Sequence, residues 1–296
     1  MTEKVQNLKI ALSVVIPCYN AEATLGEQLD ALLKEEWNEP WEILVSDNGS
    51  ADRTRDIARE YVSENSGVRY VDASGRKGPS HARNRGAAEA RGTLIAFVDA
   101  DDVIATGWVA AITQGIRKHS FVASKMDGIR LNGEESEEVK PMRQQTGLME
   151  YRYTPFLPFA GGCGLGVTKA LHRKVGGFDE EMLYCEDCDY CWRIQLSGTP
   201  LIFWPAAQVH IRNPQNHLGL FRQARNWGEY NAALYKKFLS AGIPPVSLKR
   251  GMKLWWRALS RAPRMWRPLE RHAFIWYFGY RVGMLKGSIK YRVFAP

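Results

Sequence analysis

Apolar positions in the first hundred residues follow two alternating patterns. Short, mainly apolar and β-branched runs at Leu12–Ile16, Glu42–Val45, Val68–Val71 and Leu94–Val98 predict strands. Between them lie segments with helical periodicity. Ala23–Lys34 sets Leu25, Leu29, Leu32 and Leu33 on one face, Asp52–Glu64 opens on Asp52 as an N-cap, and Pro79–Ala90 opens on a proline in its first turn. Strands alternating with helices of this length mean βαβ crossovers, hence an α/β fold with a mostly parallel, buried, Rossmann-like sheet flanked by helices.

Beyond Asp102 the pattern changes. A helix over Thr106–Lys118 leads to a strand at Phe121–Met126, and then to an acidic loop at Glu134–Glu138 that reads as a solvated insertion. A glycine-rich run, Gly161 to Gly166, precedes a helix near Lys169–Lys174. It lacks the Lys-Ser/Thr of a phosphate loop and reads as backbone in close approach to another group, the bound ligand being one candidate. Glu186–Gln195 is helical, Leu201–Trp204 and Gln208–His210 are short strands, and everything from Leu218 on is helical. Residues 10–240 therefore form one catalytic-sized domain, with halves of about 10–105 and 106–240, followed by a helical extension at 241–296.

Charge sharpens this division. From Arg250 onward eleven basic residues face one acid, Glu270, more than the whole chain's net charge of +8, so residues 1–249 are close to neutral. Five cysteines are an odd number for a disulfide framework and suit a reducing compartment. Cys185, Cys188 and Cys191 recur every third residue, but no fourth ligand follows, and the spacing fits a buried helical stripe better than a metal cluster. The longest apolar stretch, Ala273–Leu285, is interrupted by Arg281 and falls short of a membrane span, so a cytoplasmic protein is expected.

Three polar motifs fall at one structural position, just past the carboxyl end of a parallel strand. Pro17-Cys18-Tyr19-Asn20 follows the first strand, Asp47-Asn48-Gly49-Ser50 the second, and Asp99-Ala100-Asp101-Asp102 the fourth. Ligand crevices of open α/β sheets lie outside those ends, so loops far apart in sequence should line one rim. Three carboxylates within four residues repel one another unless something neutralises them, and their oxygens suit Mg²⁺ or Mn²⁺.

In order along the chain, Ser13–Asn20, Val45–Asp52, Ala82-Arg83-Asn84-Arg85-Gly86, Phe97–Asp102, Gly176-Gly177-Phe178-Asp179 and Glu186-Asp187-Cys188-Asp189 resemble the family 2 glycosyltransferases of GT-A fold, over about residues 10–230. Asn48 departs from the second Asp common there. The resemblance implies an inverting sugar transfer from a nucleotide-sugar donor to a glycan, lipid-linked or other acceptor. Pro17, Tyr19, Asn20, Asp47 and Arg83 would bind the nucleotide, Asp47 favouring uracil. Asp99 and Ala100 would adjoin the nucleotide sugar, and Asp101, Asp99 and His210 would hold the Mn²⁺ or Mg²⁺. Asp187 would be the general base and Glu186 an acceptor contact.

Two other classes compete. A nucleotidyltransferase could share the sheet and the acidic site but would consume a nucleoside triphosphate. A nucleic-acid-binding protein would account for the basic tail but not for acidic loops at strand ends. Within residues 249–292, arginines and lysines interleave with Trp255, Trp256, Trp266, Phe274, Trp276 and Tyr277. That composition suits a peripheral contact with an anionic membrane, on the inner face of the cytoplasmic membrane. A hairpin packed on the catalytic domain and an oligomer contact are the alternatives.

Overall fold

A computed structural model describes residues 9–133, 144–151, 156–213 and 217–295. The acidic loop expected at Glu134–Glu138 lies outside the described residues. An eight-stranded sheet in the order β3-β2-β1-β4-β7-β6-β8-β5 divides the chain. The strands are β1 (Leu12–Cys18), β2 (Trp41–Asp47), β3 (Val68–Asp72), β4 (Leu94–Phe97), β5 (Val103–Ile104), β6 (Phe121–Asp127), β7 (Leu165–Thr168) and β8 (Ile202–His210). Strands β3, β2, β1 and β4 are mutually parallel, and β6 runs parallel to β8, whereas β7 and β5 are antiparallel to their neighbours.

Both faces of this sheet are covered, which is why β4 is apolar at every position and β1 at most of its positions. Val14 and Ile16 of β1 point into one core with Leu25, Leu29 and Leu32 of α1 (Leu25–Leu33), while Val15 points into the other. Helix α2 (Thr54–Glu64) starts two residues later than expected, so Arg53 and not Asp52 is its N-cap; the Asp52 carboxylate instead accepts from the Thr54 amide at 3.1 Å and hydroxyl at 2.6 Å in the turn before it. Helix α3 (Pro79–Glu89) lies so close to β1 that a Cβ on Gly86 would overlap Val15.

The two short strands expected at Leu201–Trp204 and Gln208–His210 are one strand. Its register against β6 shifts between Ser124 and Lys125, and this irregularity absorbs the Pro205 that breaks the sequence pattern. The two-residue β5 was not expected from its sequence; it forms because Val103 and Ile104 pair with His210 and Val209. Helices α4 (Trp108–His119), α5 (Ile129–Asn132), α6 (Lys169–Lys174) and α7 (Glu186–Leu196) complete the domain.

The C-terminal residues form α8 (His217–Phe238), α9 (Leu248–Leu259) and α10 (Pro268–Lys290). Of the readings open for the tail, the packed hairpin holds for α10. Its Gly279, Gly283 and Gly287 lie against α8, and a Cβ on Gly283 would overlap the Arg225 carbonyl. Lys286 and Lys290 each bind the Glu229 carboxylate at 2.7 Å. Met284 and Ala295 share a core with Trp192 of α7 and Phe238 of α8. Among the described residues no helix is long and apolar enough to cross a membrane.

Backbone-to-backbone packing of this kind tolerates no side chain. Gly283→Ala should cost at least about 2 kcal/mol of stability. Gly279→Ala, whose Cβ would meet its nearest neighbours at 3.0 Å, should cost less. Chemical denaturation of the two variants checks the order, and equal stabilities would refute the packing.

Candidate active site

The motifs at the ends of β1, β2 and β4 meet at one rim, as the topology requires. Tyr19 stands at that rim with 58% of its surface exposed, a flat aromatic face free to stack on a planar ligand. Asn20 takes a left-handed conformation (φ 50°), and its side-chain oxygen accepts from the Ala51 amide at 2.9 Å, so the first motif is laced to the second. Asp47 is fully buried. It accepts from the Ser50 amide and hydroxyl at 3.0 and 2.6 Å and from the Tyr70 hydroxyl at 2.9 Å, with Arg55 at 3.7 Å. Its carboxylate is thus already held by the protein. Asn48, the departure from the family pattern, is structural: it donates to the Ala73 and Arg76 carbonyls and accepts from the Gly78 amide, fixing the loop before α3.

Helix α3 explains its own motif. Arg83 is buried and points inward, donating to Asp99 at 2.7 Å and to Glu186 at 2.8 Å. The ring of Phe178 lies 5.3 Å from its guanidinium carbon. Asn84 points the other way and grips the next turn, accepting from the Phe178 amide and donating to its carbonyl. His81 and Ser80 hold the same turn through Glu180 and the Met182 carbonyl. One helix thus positions both the acidic loop after β4 and the segment that delivers Glu186 and Asp187.

The glycine-rich run approaches protein groups. A Cβ on Gly162 would come within 2.7 Å of the Arg83 guanidinium, and Gly161 and Gly164 press on Met126 and Ser124. The close approach expected at a ligand is therefore made to the side chain that organises the site.

Carboxylates crowd this crevice. Desolvation and the Asp99 charge push Asp101 up to about 6, even though the residue still reaches solvent. Buried Asp102 lies well above the usual carboxylate range, through desolvation and then its two acidic neighbours. Such uncompensated negative charge fits a divalent cation. Among the described residues, the trio whose donor atoms lie within 4.8 Å of one another is Asp99, Asp102 and Cys163. Burial holds the Cys163 thiol protonated, however, and Mn²⁺ and Mg²⁺ prefer oxygen, so the carboxylates are the fitting ligands. His210 lies opposite Val103 in the β5–β8 pairing, and among the described residues its ring is not gathered with Asp99 and Asp101 as a ligand trio. Its Nδ1 is 2.6 Å from Asp127, the carboxylate contact that leaves Nε2 as the ligating atom in metal-bound histidines.

Asp187 sits in the first turn of α7, which Cys185 opens in a left-handed conformation (φ 59°), a strain of roughly 1–2 kcal/mol. Desolvation and the neighbouring Glu186 raise Asp187 to about 7, against the stabilising effect of the Cys188 amide 2.7 Å away. Glu186 is raised by burial, opposed by Arg83. The cysteine stripe is packing: Cys188 and Cys191 are buried in the core.

The sequence profile of Glycosyl transferase family 2 matches residues 13–176. The chain belongs to this family. Over 99 residues the chain is 35% identical to the UDP-Glc:alpha-D-GlcNAc-diphosphoundecaprenol beta-1,3-glucosyltransferase WfgD of Escherichia coli, covering 33% of the chain and 36% of WfgD. Its fold is similar to two solved structures. One is the mannosyltransferase PcManGT from Pyrobaculum calidifontis in complex with GDP-Man and Mn²⁺ (TM-score 0.66, 16% identity, 95% of this chain and 88% of that one). The other is Staphylococcus aureus TarS 1-349 in complex with UDP (TM-score 0.52, 18% identity, 97% and 93%). The GT-A fold is thereby shown. The chain spans 57%, 29% and 54% of the lengths of the first three curated relatives it matches.

Two residues that steady the acidic loop escaped sequence reasoning. Gln28 is fully buried, donates to the Asp99 carbonyl at 3.2 Å and accepts from the Ile104 amide at 3.1 Å. A polar residue on the Leu25–Leu29–Leu32 face was the signal available. Arg212 donates its amide to Asp102 and its Nε to the Asp101 carbonyl, while its guanidinium also binds Glu27; no local pattern marks it. Gln28→Leu should lower stability by about 1–3 kcal/mol, because a buried amide and a buried carbonyl lose their partners. It should also weaken Mn²⁺ binding measured by calorimetry. Unchanged metal affinity in a folded variant would show that Gln28 does not shape the loop.

Proposed function

We propose that this chain is an inverting, metal-dependent transferase that moves one sugar from a UDP-linked donor to an acceptor hydroxyl in glycan or glycoconjugate synthesis. The observation that carries the reading is buried Arg83, which bridges Asp99 of the donor-side loop and Glu186, the neighbour of the proposed base. Its positive charge, set between the two sides of the crevice, would favour an anionic diphosphate arriving at this rim. Tyr19 offers the base a stacking face, flanked by Pro17 and Asn20. Asp47, with Tyr70 and Ser50 around it, would read the uracil edge.

Asp99 and Asp101, with Ala100 between them at the donor, and His210 backed by Asp127, would hold Mn²⁺ or Mg²⁺. When bound, the ion neutralises charge on the departing diphosphate as a Lewis acid. Asp187 takes the proton of the acceptor hydroxyl as its oxygen attacks the anomeric carbon. The bond from that carbon to the phosphate oxygen breaks, and its electron pair leaves with the diphosphate. A single displacement inverts the configuration. Glu186 uses one oxygen to hold Arg83 and faces the acceptor beside Asp187. WfgD is named for a diphosphoundecaprenol acceptor. A lipid-linked acceptor here would place the enzyme peripherally on the inner face of the cytoplasmic membrane.

A base raised to about 7 is ionised only above that value. The rate constant kcat/KM should therefore climb as pH rises through about 7 and then level. The folded state keeps this proton from 3.8 up to about 7 while the unfolded state does not, so the group costs stability as pH rises through that window. Asp187→Asn should remove that cost, leave donor binding intact and reduce turnover roughly 10²–10⁴-fold. Steady-state assays of UDP release, with donor affinity and thermal unfolding at pH 8 alongside, check all three. Substantial turnover by the variant rejects the assignment.

A further inference from the structure

Helix α9 turns one apolar stripe outward. Leu248, Met252, Trp256 and Leu259 fall at helical spacing on one face, and all are exposed, Trp256 to 72%. The stripe runs on through the following bend to Trp266, exposed to 73%, and Leu269. The opposite side of α9, through Gly251 and Ala258, is the buried one. Exposed Lys249, Lys253, Arg257, Arg264 and Arg267 flank the stripe. The sole acid of the region, Glu270, is half-buried beside Arg261 at 3.4 Å. The surface therefore joins aliphatic and indole groups to uncompensated positive charge.

That combination selects its partner. A second copy of the chain would bring one set of cations against another. A nucleic acid would satisfy the charge but would leave Leu248, Met252 and Leu259 in water. An anionic bilayer satisfies both, with the stripe entering the acyl boundary and the cations meeting the headgroups.

The surface is also tied to the acceptor side of the crevice. Through α10, α9 rests on α8, and α8 grips the segment that enters α7. Asn226 donates to the Tyr184 hydroxyl at 2.9 Å, Asn231 contacts the Cys185 sulfur at 3.5 Å, and Lys237 binds Asp179 and Asp189 at 2.6 and 2.5 Å. Cys185 immediately precedes Glu186 and Asp187.

We propose that α9 and the bend after it dock the enzyme on an anionic bilayer, and that α8 transmits this placement to the Asp187 segment so that a lipid-linked acceptor is delivered there. The delivery half rests on the sugar-transfer reading; the docking half does not. Helix α10 turns its glycine face to α8, so the insertion is assigned to α9 and the bend after it.

The test uses the full-length chain, since removing residues after Ser247 would also remove Met284 and Ala295 from the core. Co-sedimentation with vesicles of phosphatidylglycerol and phosphatidylcholine is compared with phosphatidylcholine alone. The wild type should bind the anionic vesicles, and less so at high salt. The double variant Met252→Ser/Trp256→Ser should bind them roughly tenfold more weakly. The variant Lys249→Glu/Lys253→Glu should lose the preference for anionic lipid. UDP affinity should stay unchanged in both, because every substituted side chain is exposed. In turnover, the double variant should lose rate on a lipid-linked acceptor in vesicles but keep it on a water-soluble analogue. Equal vesicle binding by all variants overturns the docking, as does a dimer or an RNA complex that the substitutions abolish while no vesicle binding is seen. Vesicle binding that the double variant loses without any change in turnover overturns the delivery half. Loss of UDP binding in the wild type would instead count against the sugar-transfer reading.

Discussion

A buried guanidinium joins the two halves of the crevice. Arg83 is nearly sealed from water, and such a charge is tolerated only where carboxylates meet it with good geometry. Asp99 and Glu186 do so from segments far apart in the chain, one behind β4 and one at the head of α7. Much nearby packing serves that arrangement. Gly162 has no side chain because the guanidinium occupies the space, Phe178 lies against its plane, and Asn84 holds the turn leading towards α7. The arrangement also spreads charge unevenly. Arg83 pairs with Asp99 and Glu186, while burial first and neighbouring carboxylates second raise the proton affinities of Asp101, Asp102 and Asp187.

The sheet was legible in the sequence because buried parallel strands have only one composition available to them. Leu94–Phe97 is covered on both faces, so it is apolar at each position, and its helical neighbours carry the opposite periodicity. The rim was legible for a topological reason: motifs at the ends of parallel strands must converge. What escaped the sequence depends on pairing across long separations. The β5 strand is two residues long and exists only through its partner, 105 positions away at Ile104–Val209 and 107 at Val103–His210. Gln28 and Arg212 act on the acidic loop from helix α1 and from the segment after β8, with nothing nearby in sequence to announce it. The glycine-rich run was read correctly as backbone in close approach, but periodicity carries no information about which group approaches.

The tail shows how composition can mislead about position. Its basic and aromatic residues look uniform from Lys249 to Arg292, yet glycines at every fourth residue of α10 divide them. Those glycines let α10 lie against the α8 backbone and join the core, which leaves α9 and the bend after it with the exposed stripe. The same helix pair stiffens the entrance to α7, so a surface feature and the proposed base belong to one packed unit.

The account rests on a nucleotide diphosphate and a divalent ion occupying the crevice beside Arg83 and Asp101. A crystal structure of the protein grown with UDP and Mn²⁺ tests this most directly. The expected density places uracil on the Tyr19 ring near Asp47, the diphosphate towards Arg83, and the metal beside Asp101. Nucleotide bound elsewhere, or a crevice with no metal density beside Asp101, would contradict it.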